Sequence, residues 1–134
     1  MTSKRKIKFG GLAVAVGLVS SVLAAPTAAQ AAFTDCPQEI YCLWTEYNGE
    51  GSRLFTGSDE PDLRVHGLND VISSVYNTSS TRGLCLYPDI NYYSGSTWTV
   101  YLPPGTTSNL RDPNIDNRVS SVKWAGPTGV ESCK

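Results

Sequence analysis

The sequence predicts an all-β protein in which two similar copies of about 40 residues pack as one small sandwich. Short runs rich in Val, Ile, Tyr, Trp and Thr recur in both copies, and clusters of turn-forming residues separate them. β-branched and aromatic residues favour strands, whereas Gly, Pro, Asn and Asp favour the turns between strands. No apolar stripe with the 3.6-residue period of a helix is present after residue 31.

Residues 1–31 are predicted to form a signal peptide that is removed on export. Four basic residues precede an apolar run at 12–23, and residues 29–31 (Ala-Gln-Ala) match a signal-peptidase site. The run is shorter than the roughly 20 residues that span a bilayer, and Pro26 follows it. We therefore expect residues 32–134 to form a secreted, extracellular domain that is not attached to a membrane.

The mature chain is expected to be acidic. The signal segment holds four of the 11 Lys and Arg and none of the 12 Asp and Glu, so seven bases and twelve acids remain, a formal charge of −5. Nucleic acids and anionic lipids need a basic surface, so neither is expected as a partner. The remaining 103 residues suffice for one modest core, and we expect a monomer.

All four cysteines, Cys36, Cys42, Cys85 and Cys133, lie in the mature part. An even number in an exported chain indicates two disulfides, for which three pairings exist. The short separation of the first two favours a Cys36–Cys42 bridge, which would leave Cys85–Cys133 to fix the C-terminal tail; the other pairings stay open. A zinc site is disfavoured, because there is no CxxC pair and His66 is the only histidine.

The internal repeat is visible along most of the mature chain. Residues 42–44 (Cys-Leu-Trp) return as 85–87 (Cys-Leu-Tyr), and residues 68–75 (LNDVISSV) return as 115–122 (IDNRVSSV). The copies are placed at about 40–77 and about 84–124. Predicted strands are 41–47, Arg53–Thr56, 71–76, Leu84–Tyr87, 97–102 and 119–124. Several short strands with regular turns are typical of a sandwich or barrel.

These features resemble the β/γ-crystallin Greek-key signature. Trp44 is followed seven residues later by Gly51 and then by an Asn/Asp-Asn/Asp-x-x-Ser-Ser motif, and in the second copy Tyr87 precedes Gly95 by eight residues. Cys36-Pro37 and the Cys-Leu-Trp segment are similar to those of the bacterial secreted metalloproteinase-inhibitor family. The resemblance covers residues 36–124 and implies two β/γ-crystallin-like Greek-key motifs packed as one small sandwich. It also implies a non-enzymatic inhibitor of an extracellular peptidase, in particular a metallopeptidase.

The motifs at 69–74 and 116–121 are the candidate metal site. Calcium prefers six to eight oxygen ligands, and the resemblance to β/γ-crystallins implies side-chain oxygens from the second and fifth positions and carbonyls from the third. These residues are Asp70, Val71, Ser73, Asn117, Arg118 and Ser120. Asx and Ser also satisfy backbone groups before a strand, so an architectural role is the alternative. Calcium is therefore the one cofactor that the sequence suggests. A calcium-binding structural or stress protein without a peptidase target is the alternative function.

No motif identifies the inhibitory loop. The segment 37–41, with Ile40 and Tyr41 as apolar anchors, is favoured over the proline-stiffened segment 103–109. No nucleophile motif accompanies His66, and the acidic residues at 59, 60 and 62 are interpreted as a solvated turn, so an enzyme is not expected. The aromatic residues at 92, 93, 98 and 101 would form either a glycan platform or part of the core. A glycosylation sequon at Asn77 predicts an exposed segment.

Overall fold

The computed structural model describes residues 33–95 and 97–134. The predicted signal peptide, residues 1–31, lies outside these ranges. The strands in the described residues are β1 (Tyr41–Trp44), β2 (Arg53–Thr56), β3 (Ser74–Asn77), β4 (Leu84–Tyr87), β5 (Val100–Leu102), β6 (Thr107–Asn109) and β7 (Ser121–Trp124). Short 3₁₀ helices lie between strands at Tyr47–Gly49, Leu63–His66 and Ile90–Tyr92, and another follows β7 at Gly129–Cys133. No helix within the described residues is long and apolar enough to cross a membrane.

The strands form two antiparallel sheets, ordered β2-β1-β3-β6 and β5-β4-β7. Strand β6, from the second copy, pairs with β3 of the first, with Val75 opposite Ser108. Conversely, Glu60 of the first copy bridges Val122 in β7 through backbone hydrogen bonds of 2.7 and 2.9 Å. Each copy therefore contributes one segment to the sheet of the other. This confirms the predicted all-β sandwich of two Greek-key motifs.

Strands β2 and β4 have the predicted bounds, whereas the other four predicted strands are shorter. The strands predicted at 71–76 and 119–124 start later because Asp70 and Asn117, each at the end of a turn, have left-handed backbones, with φ of 56° and 57°. Strand β6 lies inside the segment 103–109 that was predicted to be a loop. Its Thr-Ser-Asn sequence has no apolar alternation, which is typical of a short edge strand.

The core lies between the sheets and follows the two-residue period of the central strands. In β1, Tyr41 and Leu43 face this core, and in β4 Leu84 and Leu86 do the same. The complete set of buried core residues is Tyr41, Leu43, Leu63, Leu68, Ile72, Val75, Leu84, Leu86, Leu102, Leu110, Val119 and Val122. The intervening residues of β1 and β4 belong to two separate clusters on the outer faces of the sheets.

Both disulfides lie in these outer clusters. Cys36 pairs with Cys42 beside Phe33 and Trp44, and Cys85 pairs with Cys133 beside Tyr87. This is the pairing favoured by the sequence, and no free cysteine is present among the described residues. The bridges thus hold the N-terminal segment over one sheet and the C-terminal segment over the other.

The sequon residue Asn77 is fully buried, so the predicted exposure of this position is wrong. Its Nδ2 donates to the carbonyls of Arg82 at 2.8 Å, Pro103 at 3.1 Å and Leu102 at 3.3 Å. Its Oδ1 accepts the Ser79 N–H at 3.0 Å. An amide can satisfy several backbone groups at once, and here it joins the end of β3 to the linker between the copies.

Candidate functional site

The two predicted metal motifs lie against each other and exchange contacts between the copies. Ser73 Oγ donates to Asn117 Oδ1 at 3.2 Å. In the reciprocal position, Ser120 Oγ lies 3.1 Å from Asp70 Oδ1 and 2.8 Å from the Pro88 carbonyl. The fold therefore brings together the side-chain oxygens at the second and fifth positions, each from the opposite copy.

The backbone explains part of this arrangement without a ligand. Asp70 N–H donates to the Val119 carbonyl and Asn117 N–H to the Ile72 carbonyl, both at 3.1 Å. Asn and Asp tolerate the left-handed conformation better than other non-glycine residues. The turn itself thus favours an Asx residue at the second position. The backbone hydrogen bonds and the left-handed conformations therefore support the alternative, in which the motifs have an architectural role.

The sixth-position serines, Ser74 and Ser121, have a different role from the fifth-position serines, and the sequence did not predict this difference. Ser74 Oγ donates to the Glu46 carbonyl at 2.6 Å and accepts the Gly49 N–H at 3.0 Å. Ser121 Oγ donates to the Asp89 carbonyl at 2.6 Å and accepts the Tyr92 N–H at 3.0 Å. Both serines are fully buried and fasten the loop that follows the first strand of each copy.

The first motif opens onto a surface depression lined by Tyr47, Val71, Ser73, Asp116 and Asn117, among other residues. Asp116 Oδ2 accepts a 2.6 Å hydrogen bond from the Tyr47 hydroxyl, which raises the pKa of that phenol. Asp116 Oδ1 is buried and has no hydrogen-bond partner among the described residues. A carboxylate oxygen without a partner suits a cation or a water molecule.

The chemistry of these donors fits calcium. Hydroxyl, amide, carboxylate and carbonyl oxygens are the ligands of a hard cation, whereas zinc sites are built mainly from Cys sulfur and His nitrogen. Val71 and Arg118, the third-position residues, would offer their carbonyls. The described residues contain no group of three or more His, Cys, Asp and Glu that could hold a metal. Any calcium site here would therefore carry little negative charge.

The favoured inhibitory segment, 37–41, is not a free loop. Tyr41 begins β1 and is fully buried, its hydroxyl donates to the Ser58 carbonyl at 2.7 Å, and burial raises its pKa. The backbone of Ile40 bonds at both N–H and carbonyl to Thr78 at 3.0 Å. The prediction that Tyr41 serves as an apolar anchor is therefore wrong, because its side chain belongs to the core.

The carboxylates interpreted as a solvated turn each have a partner. Asp59 accepts the Trp124 N–H at 2.8 Å, and Glu60 Oε2 lies 2.7 Å from His66 Nε2. Asp62 accepts three guanidinium hydrogen bonds from Arg64, at 2.7, 2.8 and 3.1 Å. This segment crosses to the second sheet, and of the three carboxylates only Asp59 bonds to that sheet, whereas Glu60 and Asp62 pair with side chains of the same segment.

Three of the four aromatic residues that could form a glycan platform belong to two packing clusters. Trp98 packs against the main core, while Tyr92 and Tyr101 pack beside the Cys85–Cys133 bridge. Only Tyr93, at 66% exposure, is mostly open to solvent. This division favours a packing role over a stacking surface.

Comparison with known proteins supports the same assignment at the level of family and fold. A β/γ-crystallin domain studied for the evolution of the eye-lens fold is 24% identical with a TM-score of 0.59, covering 67% of this chain and 89% of that one. A β/γ-crystallin from Ciona intestinalis is 26% identical with a TM-score of 0.52, covering 63% and 96%. The N-terminal domain of protein S is 16% identical with a TM-score of 0.51, covering 66% and 97%. No curated protein matches the sequence. The model of peptidase inhibitor family I36 matches residues 29–100, more than half of the chain, and the chain therefore belongs to that family.

Proposed function

We propose that this protein is secreted and inhibits an extracellular metallopeptidase without catalysing a reaction itself. The family match over residues 29–100 carries the proposal at the level of peptidase inhibition. The metallopeptidase target rests on the resemblance of the Cys-Pro and Cys-Leu-Trp segments to secreted metalloproteinase inhibitors. The predicted signal peptide and the two disulfides are in keeping with an oxidising, extracellular location.

The fold suits such a function physically. Two interlocked Greek keys and two bridges leave the loops of this small domain short and fixed at both ends. A surface that is already ordered loses little conformational entropy on binding, so more of the contact energy appears as affinity. A rigid domain of this kind can block a cleft while it resists digestion.

The test is inhibition of a panel of purified exported peptidases, metallo and serine, by residues 32–134. We expect at least one metallopeptidase to be inhibited at micromolar protein or below and the serine peptidases to be unaffected. Inhibition of serine peptidases alone would refute the metallopeptidase target but keep the inhibitor function. No inhibition of any peptidase at micromolar protein would refute both.

A second candidate function, calcium binding by the paired motifs, has its own observation. The Ser73–Asn117 and Ser120–Asp70 contacts place two sets of oxygens in equivalent positions. The unpartnered Asp116 Oδ1 lies beside the first set. A structural or stress protein stabilised by calcium would use these sets as its functional feature.

Thermal unfolding in calcium from micromolar to millimolar tests this candidate, because a ligand of the folded state raises Tm by mass action. Asp70→Asn removes one carboxylate at nearly constant shape and should reduce the rise in Tm. Asn117→Asp adds one and should increase it. A Tm that does not respond to calcium in the unmodified protein would leave the motifs a purely architectural role.

A further inference from the structure

The 3₁₀ helix Leu63–His66, with its caps Asp62 and Gly67, forms a projecting turn, which we name the 62–67 turn. Leu63 is fully buried, whereas Val65, two residues later, is 74% exposed. This is the largest exposure among the exposed large apolar side chains of the described residues, ahead of Tyr93 at 66% and Val130 at 51%. The turn therefore presents an aliphatic side chain to solvent from a buried base.

The backbone of the 62–67 turn is fixed at both ends. Asp62 Oδ1 accepts the Arg64 N–H at 3.0 Å, and Gly67, in the left-handed conformation with φ of 68°, donates to the Arg64 carbonyl at 3.0 Å. Leu63 N–H donates to the Ser120 carbonyl of the other copy at 2.9 Å. A Gly C-cap and an Asp N-cap are each stabilising by themselves. The turn is therefore preorganised.

The polar side chains of the turn are paired at the protein surface. Arg64, whose side chain is 60% exposed, donates guanidinium hydrogen bonds to Asp62, the shortest at 2.7 Å, and His66 Nε2 lies 2.7 Å from Glu60 Oε2. Val65 lies between these two pairs. The turn therefore presents one exposed aliphatic side chain, flanked by polar groups that are already paired within the protein.

Resting on the proposed inhibitor function, we propose that the 62–67 turn contacts the peptidase and that Val65 enters a pocket for a branched aliphatic side chain. Interfaces of this type are usually dominated by a central apolar anchor, and an anchor on a preorganised turn gains affinity because little ordering remains to be done. Gly67 and Val71 line the neighbouring depression, so the contact surface continues from the apex along this face.

The closed form of the turn also predicts how it meets the peptidase. The carbonyls of Asp62 and Arg64 already accept the N–H groups of Val65 and Gly67, at 3.4 and 3.0 Å. A peptide that pairs with a strand edge must be extended, and this turn is not. The turn should therefore fill the pocket without being cut, and the peptide bonds on either side of Val65 should survive incubation with the inhibited enzyme.

The experiment compares inhibition constants of Val65→Asp, Val65→Thr and the control Val130→Asp against a peptidase that the unmodified protein inhibits. Val130 is a second exposed valine, on the C-terminal 3₁₀ helix. We expect Val65→Asp to weaken inhibition about 100-fold and the isosteric Val65→Thr about tenfold, with Val130→Asp unchanged. Because Val65 is exposed, the Tm of all three should stay close to that of the unmodified protein.

Equal inhibition by Val65→Asp and the unmodified protein would overturn the assignment of the turn and leave the inhibitor function standing. A parallel loss in Val130→Asp would also overturn it, since any added charge would then suffice. If the unmodified protein inhibits no peptidase, the inhibitor function fails first and the turn loses its assigned role with it. Cleavage at Val65 during incubation would contradict the closed-turn contact.

Discussion

Asn77 links the two halves of the fold through one side chain, and its removal gives the sharpest test of the tertiary structure. The residue is fully buried and its amide contacts three backbone carbonyls and one N–H. Asn77→Ala keeps the backbone of β3, including the bond from its N–H to Thr106, and deletes only the amide group. The change therefore isolates the side-chain bonds.

The expected loss is about 3 kcal/mol of the free energy of unfolding. Each buried hydrogen bond contributes about 1 kcal/mol net, and a buried group left without a partner costs about 1–3 kcal/mol. With two amide protons shared among three carbonyls, and with the Ser79 N–H also losing its acceptor, three lost bonds are a conservative count. For a domain of this size the Tm should fall by roughly 10–20 °C.

Urea unfolding of residues 32–134 measures the effect, with the midpoint shifted and the m-value unchanged. The matched control is Asn114→Ala, whose exposed amide bonds only to Asp112 and should contribute less than about 0.5 kcal/mol. A loss below about 1 kcal/mol for Asn77→Ala, or equal losses for the two variants, would refute the role of Asn77 as a tertiary link.

Three further predictions address cross-linking, ionisation and packing. Replacing both cysteines of the Cys85–Cys133 bridge by Ala should lower the free energy of unfolding by about 4 kcal/mol, and the same change in the Cys36–Cys42 bridge by about 2 kcal/mol, because the closed loops span 48 and 6 residues. Equal losses in urea unfolding would contradict the loop-entropy account. Burial raises the pKa of Tyr41 above its unfolded value of about 10, so its contribution to stability is full below pH 10 and declines above it. Urea midpoints at pH 9 and 11 should show that decline, and Tyr41→Phe should make it shallower. Gly83→Ala places a Cβ against the Tyr101 ring and should cost about 1–3 kcal/mol in thermal unfolding; a Tm equal to the unmodified value would show that the ring moves freely.

The amino-acid sequence alone determined the all-β class, the two Greek-key copies and the preferred disulfide pairing. The class depends on local signals, namely strand-favouring residues such as those of Arg53–Thr56 and Leu84–Tyr87 and turn residues between the strands. The two copies are visible because their motifs share the same Asx and Ser-Ser-Val positions, and the Greek-key assignment follows from the resemblance of those motifs to β/γ-crystallins. Signals of this kind can be recognised within one copy, because they do not depend on contacts with the other copy. The calcium ligands remain a prediction from the same motif.

The tertiary structure decided which side chains are available to a partner. Tyr41 and Ile40 share one short apolar segment, yet the register of β1 places Tyr41 in the core. Hydrogen bonds from the Ile40 N–H to the Thr78 hydroxyl and from the Thr78 N–H to the Ile40 carbonyl hold Ile40 to the linker. Conversely, Val65 lies between Arg64 and His66 in sequence and is exposed because Leu63 takes the buried position of the turn, while the two polar neighbours pair with Asp62 and Glu60 at the surface. Side-chain exposure depends on contacts between the two copies, and the sequence pattern of one copy does not predict those contacts.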